Sequence, residues 1–302
     1  MLRDRAVLVV TALVPAVWGS TYLVTSELLP PDRPLFAAVV RALPAGLLLV
    51  LLARRLPHGS WWWRSAVLGV LNIGAFFALL FVAAYRLPGG PAATVIALQP
   101  LLVAALAARL LGDRLSARAV LAALAGIGGV ALMVLQAQAR LDAVGIAAAL
   151  GAAVVMATGV VLSKRWSPPV SAVAFAGWQL YAGGLVLLPV AVLVEGPVPP
   201  AVTAGNLAGY AYLGLIGGAL TYALWFRGIR VLSPTAVTFL GLLSPVVATA
   251  LGWLVLGQDL TPVQVLGAVV VLVSIVVGHG AGGTRSAGPT AVAPARTAGI
   301  RS

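Results

Sequence analysis

Apolar runs of near-constant length alternate along this chain with short polar joints. The runs fall at about residues 6–25, 35–52, 61–84, 91–108, 117–135, 144–162, 171–194, 206–226, 235–256 and 262–277. A helix of about 20 apolar residues crosses the ~30 Å hydrocarbon core of a bilayer. The pattern therefore predicts ten membrane-crossing helices, spans 1 to 10, in an all-α integral membrane protein. The first run has a signal-like length, but nine more follow it, so it reads as a retained helix. The longest joint, near 195–205, is rich in proline. Residues 280–302 have no apolar period and read as a disordered tail.

The joints and runs repeat. The stretch 98–124, LQPLLVAALAARLLGDRLSARAVLAAL, returns 145 positions later as LSPVVATALGWLVLGQDLTPVQVLGAV, with ten of 27 positions identical. Chance in so apolar a chain would give roughly three or four, so an internal duplication is the better reading. The boundaries that follow are residues 1–136 for a first five-helix repeat and 137–279 for a second.

Composition confirms the class. Hydrophobic residues make up 61% of the chain and charged ones 9%, against about 25% charged in soluble domains. The net charge of +12 would suit a nucleic-acid binder, but the basic residues sit in the joints. If the N-terminus is cytoplasmic, 15 of the 19 basic residues fall in inside segments, with only Arg33, Arg86 and Arg140 outside and Arg41 within a span. Such a bias sets orientation, and it places both termini in the cytoplasm of a multi-pass plasma (inner) membrane protein. The absence of Cys removes disulfides, thiolate metal sites and cysteine catalysis.

Five spans per half is an odd number, so the second half enters the membrane upside down: a 5+5 inverted repeat. Aligning Ala16-Val17 with Ala153-Val154 sets Thr21 on Thr158 and Glu27 on Lys164. An acid then ends the copy that finishes outside, and a base ends the copy that finishes inside. Inverted repeats around a midplane site are a transporter architecture.

Trp18-Gly19-Ser20-Thr21, Arg41, and the hairpins Gln99-Pro100…Leu111-Gly112-Asp113 and Ser244-Pro245…Leu256-Gly257-Gln258 resemble the drug/metabolite transporter superfamily, specifically its EamA-type ten-helix exporters. Within it, TSELLPPDRP, RALPAG and FLGLLSPVVA are most similar to the PecM-like subgroup of pigment (indigoidine) exporters. The resemblance covers about residues 6–278 and implies a central cavity lined mainly by spans 1, 3, 4, 6, 8 and 9, through which small metabolites leave the cell. Family hairpins usually carry Glu after Leu-Gly, where this chain has Asp113 and Gln258.

Candidate substrate contacts are Trp18, Thr21, Tyr22, Asn72, Phe76, Gln99, Thr158, Tyr222 and Thr238, a few polar groups among aromatics that suit an amphipathic or aromatic solute. Each Thr, Asn or Gln has a simpler use, an interhelical hydrogen bond worth about 0.6 kcal/mol. Arg41 joins them. A mid-span charge costs roughly 2.5–3.5 kcal/mol on insertion scales, so it faces protein or water. It either meets a substrate anion or holds backbone carbonyls or an outer acid, and its counterpart in the second half is Gln179. Pro100 and Pro245, recurring in both halves, are the candidate hinges.

No carboxylate falls at mid-membrane, which disfavours proton-coupled antiport of cationic drugs. No cofactor or metal site is implied. The predicted function is secondary export of small metabolites, amino-acid-like compounds or pigments by alternating access. Its partners are a small-molecule substrate and the bilayer, without nucleic acid, and one chain suffices to build the site. A passive channel is the nearest alternative. A lipid-modifying membrane enzyme would need a nucleophile–base pair or metal set that these spans do not assemble.

Overall fold

A computed structural model describes residues 2–31, 33–86, 89–134, 142–196 and 202–281. Every regular element among them is helical. Ten helices are long and apolar enough to cross a membrane: span 1 (Ala6–Leu28), span 2 (Pro34–Ala53), span 3 (Trp61–Leu80), span 4 (Ala93–Leu110), span 5 (Ala117–Val134), span 6 (Ala143–Trp166), span 7 (Ala172–Glu195), span 8 (Ala204–Val231), span 9 (Pro234–Leu256) and span 10 (Pro262–Gly280). The protein is a multi-pass membrane protein. The helices overrun the apolar runs at their charged ends, because Lys164, Arg165 and Arg230 break the hydropathy but not the helix. Gly280 and Ala281, expected in the disordered tail, continue the last helix, because nothing at 278–281 breaks it; the rest of the tail and the centre of the proline-rich joint lie outside the described residues.

Two helix pairs frame the molecule, span 2 on span 7 and span 5 on span 10. Lipid is as apolar as leucine, so helices associate through close backbone approach and hydrogen bonds rather than by escaping water. Glycines give that approach here. A Cβ on Gly46 of span 2 would run into the Tyr181 backbone nitrogen of span 7. Gly129 and Gly267 are reciprocal, since a Cβ on either would meet the other's carbonyl oxygen, at 2.9 and 2.6 Å. At its end, span 7 also caps span 2. The Leu35 and Phe36 amides donate to the two Glu195 carboxylate oxygens at 2.5 and 2.8 Å. Arg33, at the N-cap position, supplies no side-chain cap, so the carboxylate takes over the exposed amides and the positive helix end.

Contacts between joints define two ends of the bundle. At one, which we call the Glu195 end, the Asn206 amide donates to Leu28 O (2.8 Å) and Arg86 pairs loosely with Asp142 (3.8 Å). At the other, the Lys164 end, Lys164 Nζ donates to Arg230 O (2.7 Å) and Leu232 O (2.9 Å), and Trp178 Nε1 donates to Arg55 O (2.8 Å).

Four spans are interrupted. Spans 3 and 8 widen into π-helical turns at Val70–Gly74 and Tyr212–Leu220. Spans 4 and 9 break at 97–98 and at Leu242, each just before Pro100 or Pro245. The 145-residue spacing of the repeated hairpin carries Ala97 onto Leu242 and, extended back, Asn72 onto Gly217 (72 + 145 = 217). Both halves therefore carry the same interruptions in the same register.

Candidate functional site

The interrupted helices surround a cavity of about 460 Å³, within the usual range for small-ligand sites of roughly 300–1,000 Å³. Span 1 contributes Trp18, Thr21, Thr25 and Ser26, and span 2 contributes Pro34, Ala37, Ala38 and Arg41. The rest of the wall comes from spans 3, 4, 8 and 9, with Met156 from span 6. Much of that wall is built twice. Phe77 and Tyr222, Leu80 and Trp225, Ala93 and Thr238, Ile96 and Gly241, Ala97 and Leu242, Gln99 and Ser244, and Pro100 and Pro245 are all lining pairs 145 positions apart.

The prolines act on this wall. A proline nitrogen cannot donate to the carbonyl four residues back, and those carbonyls belong to Ile96 and Gly241, both lining residues. Below the breaks, aromatic rings form a floor: the Trp18 ring lies 5.2 Å from Tyr222 and 5.0 Å from Trp225. Trp225 and Tyr222 are almost wholly buried. Buried polar atoms of Thr21 (Oγ1) and Trp225 (Nε1) have no hydrogen-bond partner.

Among the described residues that line the cavity, Arg41 is the one with a charged side chain. Its Nε and Nη2 donate to Gly217 O at 3.1 and 2.9 Å, and its guanidinium lies over the rings of Phe77 (5.6 Å) and Tyr222 (5.9 Å). The Gly217 carbonyl is available because the wide turn sends the Thr221 amide to Gly218 and Ile216 instead. Trp18 Nε1 (3.2 Å) and the Thr221 hydroxyl (2.7 Å) donate to the same oxygen. The other half repeats the device with neutral groups. Asn72, at Gly217's place in span 3, donates to Gln179 Oε1 (2.6 Å) and Ser163 Oγ (3.1 Å). Gln179 is Arg41's counterpart in span 7. Each wide turn is thus tied to the helix beside it.

Of the residues singled out in the sequence, Trp18, Thr21, Arg41, Phe76, Gln99, Tyr222 and Thr238 line the cavity, as do Pro100 and Pro245. The Thr238 hydroxyl turns back to Pro234 O and Thr235 O. Asn72 lies buried in the span 3–span 6–span 7 contact, off the cavity wall. Thr158 is also off the wall and donates to Val154 O on its own helix (2.8 Å). Tyr22 belongs to span 1, and its side chain lies outside what the structure describes. Phe77, Trp225 and Ser244 were missed, although stepping 145 residues from Tyr222 and Gln99 finds two of them. Among the described residues, no three His, Asp or Glu side chains gather where they could hold a metal.

The cavity is open at one end. Thr25 and Ser26, on its wall, are exposed at the Glu195 end. At the Lys164 end, span 6 packs onto the Thr221–Val231 segment of span 8 and the Pro234–Gly241 segment of span 9. The Lys164 bonds described above close that contact.

Comparison with known proteins gives a match to the EamA-like transporter family over residues 6–135 and 143–277. Protein PecM of Dickeya dadantii (strain 3937) is 47% identical over 265 residues, 87% of this chain and 89% of that protein. A chloroplastic WAT1-related protein of Arabidopsis thaliana is 30% identical over 85% of this chain and 66% of its own length. The inner membrane transporter YedA of Escherichia coli (strain K12) is 29% identical over 86% of each chain. A solved crystal structure superposes with a TM-score of 0.77 at 20% identity, covering 92% of this chain and 98% of the other, and shares its fold.

Proposed function

Because the chain belongs to the EamA-like transporter family, we propose that it is a secondary exporter of small metabolites that works by alternating access. In this reading residues 1–136 and 137–279 are inverted halves around one midplane site, one chain completes that site, and both termini face the cytoplasm. The membrane is the plasma (inner) membrane, and the Glu195 end faces outward. The observation that carries the reading is the asymmetry of a doubly built cavity: open at the Glu195 end, sealed by the span 6–span 8–span 9 contact at the other. A site built from register-matched, interrupted helices can present the same walls to either side in turn. A continuous pore would not need a sealed end.

The wall also bears on substrate class. Among the described lining residues, aromatic rings and one guanidinium without a carboxylate favour flat or amphipathic solutes that are neutral or anionic over cations. Amino-acid-like compounds and pigments of that kind are the solutes to try first. The test compares medium and cell extract with and without expression of the protein. A compound that rises outside and falls inside is the expected result. If no neutral or anionic aromatic compound moves, while added cations do, the proposed substrate class is wrong.

A further inference from the structure

The seal at the Lys164 end has an unclosed counterpart at the Glu195 end. The contact of span 6 with the Thr221–Val231 and Pro234–Gly241 segments corresponds, half for half, to a contact of span 1 with Ala75–Arg86 and Gly89–Ile96. Among the described residues span 1 makes no comparable packing there, and the cavity mouth lies between them, flanked by Ser26 on one side and Leu80 and Ala93 on the other.

Lys164 locks the closed side by donating to the carbonyls of Arg230 and Leu232 at the corner between spans 8 and 9. Its counterpart in span 1 is Glu27, through the alignment that sets Thr21 on Thr158. Stepping 145 residues back from the middle of that corner (231 − 145 = 86) gives Arg86, the last residue of Ala75–Arg86. The sign change has a chemical consequence. An ammonium can lock onto carbonyl oxygens, but a carboxylate, itself an acceptor, needs a donor. The Arg86 guanidinium supplies one.

Both partners are loosely held in the open structure. Glu27 is exposed, with a long contact from the Ser26 hydroxyl (3.5 Å). Arg86 is half exposed and 3.8 Å from Asp142, whose Oδ1 already accepts from the Gly145 amide (2.7 Å). We infer that Glu27 and Arg86 form the outer latch, pairing when span 1 closes over the cavity mouth, as Lys164 and the 230–232 corner do at the opposite end. This rests on the alternating-access reading.

The chain has no native Cys, so a single Ser26→Cys at the mouth can report opening through its rate of labelling by a membrane-impermeant maleimide in intact cells. Glu27→Gln and Arg86→Gln each remove the latch and should raise that rate about two- to five-fold, the range of an exposed ion pair. The exchange Glu27→Arg with Arg86→Glu should return it to the starting value. Lys164→Met loosens the opposite seal and should lower the rate. If Lys164→Met acts while both Gln variants leave labelling unchanged, or the exchange fails to restore it, the latch is refuted and alternating access stands. If none of the variants, Lys164→Met included, changes the rate, the alternating-access reading falls and takes the latch with it.

Discussion

Arg41 shows how one charged side chain can serve packing and chemistry together. Its Nε and Nη2 hold the Gly217 carbonyl, and the same side chain is the one charge among the described residues of the cavity wall. Removing it takes two donors from an oxygen inside the membrane, a loss of about 1–3 kcal/mol. Arg41→Ala is expected to lower the melting temperature in detergent, with Arg41→Gln, which keeps a donor of roughly the right reach, falling between. If Arg41 also meets substrate, Arg41→Gln will weaken transport of anionic compounds and spare neutral ones. A uniform loss for both would assign it to packing alone. Arg41 was legible in the sequence because a charge in an apolar run is conspicuous, and the alignment also found Gln179. Its partner was not legible, because Gly217 takes part through a backbone oxygen freed by a wide turn, and hydropathy does not encode turn width.

At the scale of elements, the interruptions distinguish this bundle from ten plain helices. The prolines were visible as repeated features, and the structure puts each just past a break, with Ile96 and Gly241, whose carbonyls the proline nitrogens cannot serve, on the cavity wall. Pro245→Ala restores an N–H that can donate to Gly241 and should stiffen span 9. The expected outcome is normal folding with turnover slowed several-fold, and Pro100→Ala should act in the same direction on span 4. Unchanged turnover in both variants would show that the breaks shape the site without moving. By contrast, the π-helical turns of spans 3 and 8 could not be read from apolar runs, which end where polarity ends and are blind to a change in hydrogen-bond step. In the sequence Glu195 is only an acid at the end of an apolar run. Its use depends on amides 160 residues away at the start of span 2, a distance that no local pattern reports.

For the whole molecule, orientation decides what the open end means. The distribution of basic residues puts the joint at 54–60 inside and the joints at 28–34 and 195–205 outside. The structure independently gathers 28 with 206 and 35 with 195 at the open end. Single cysteines at Ser26, Ala204 and His58 join these two arguments, since all three positions are exposed. An impermeant thiol reagent applied to intact cells should label Ser26→Cys and Ala204→Cys, and His58→Cys only after the membrane is opened. That result makes the described state outward-open, with the substrate site facing the medium and the Lys164 seal facing the cytoplasm. The reverse pattern would leave the doubled cavity and its seal intact but turn them around. The same conformation would then be that of a carrier waiting for its cargo from the cytoplasm, and Lys164 rather than Glu27 would guard the outer door.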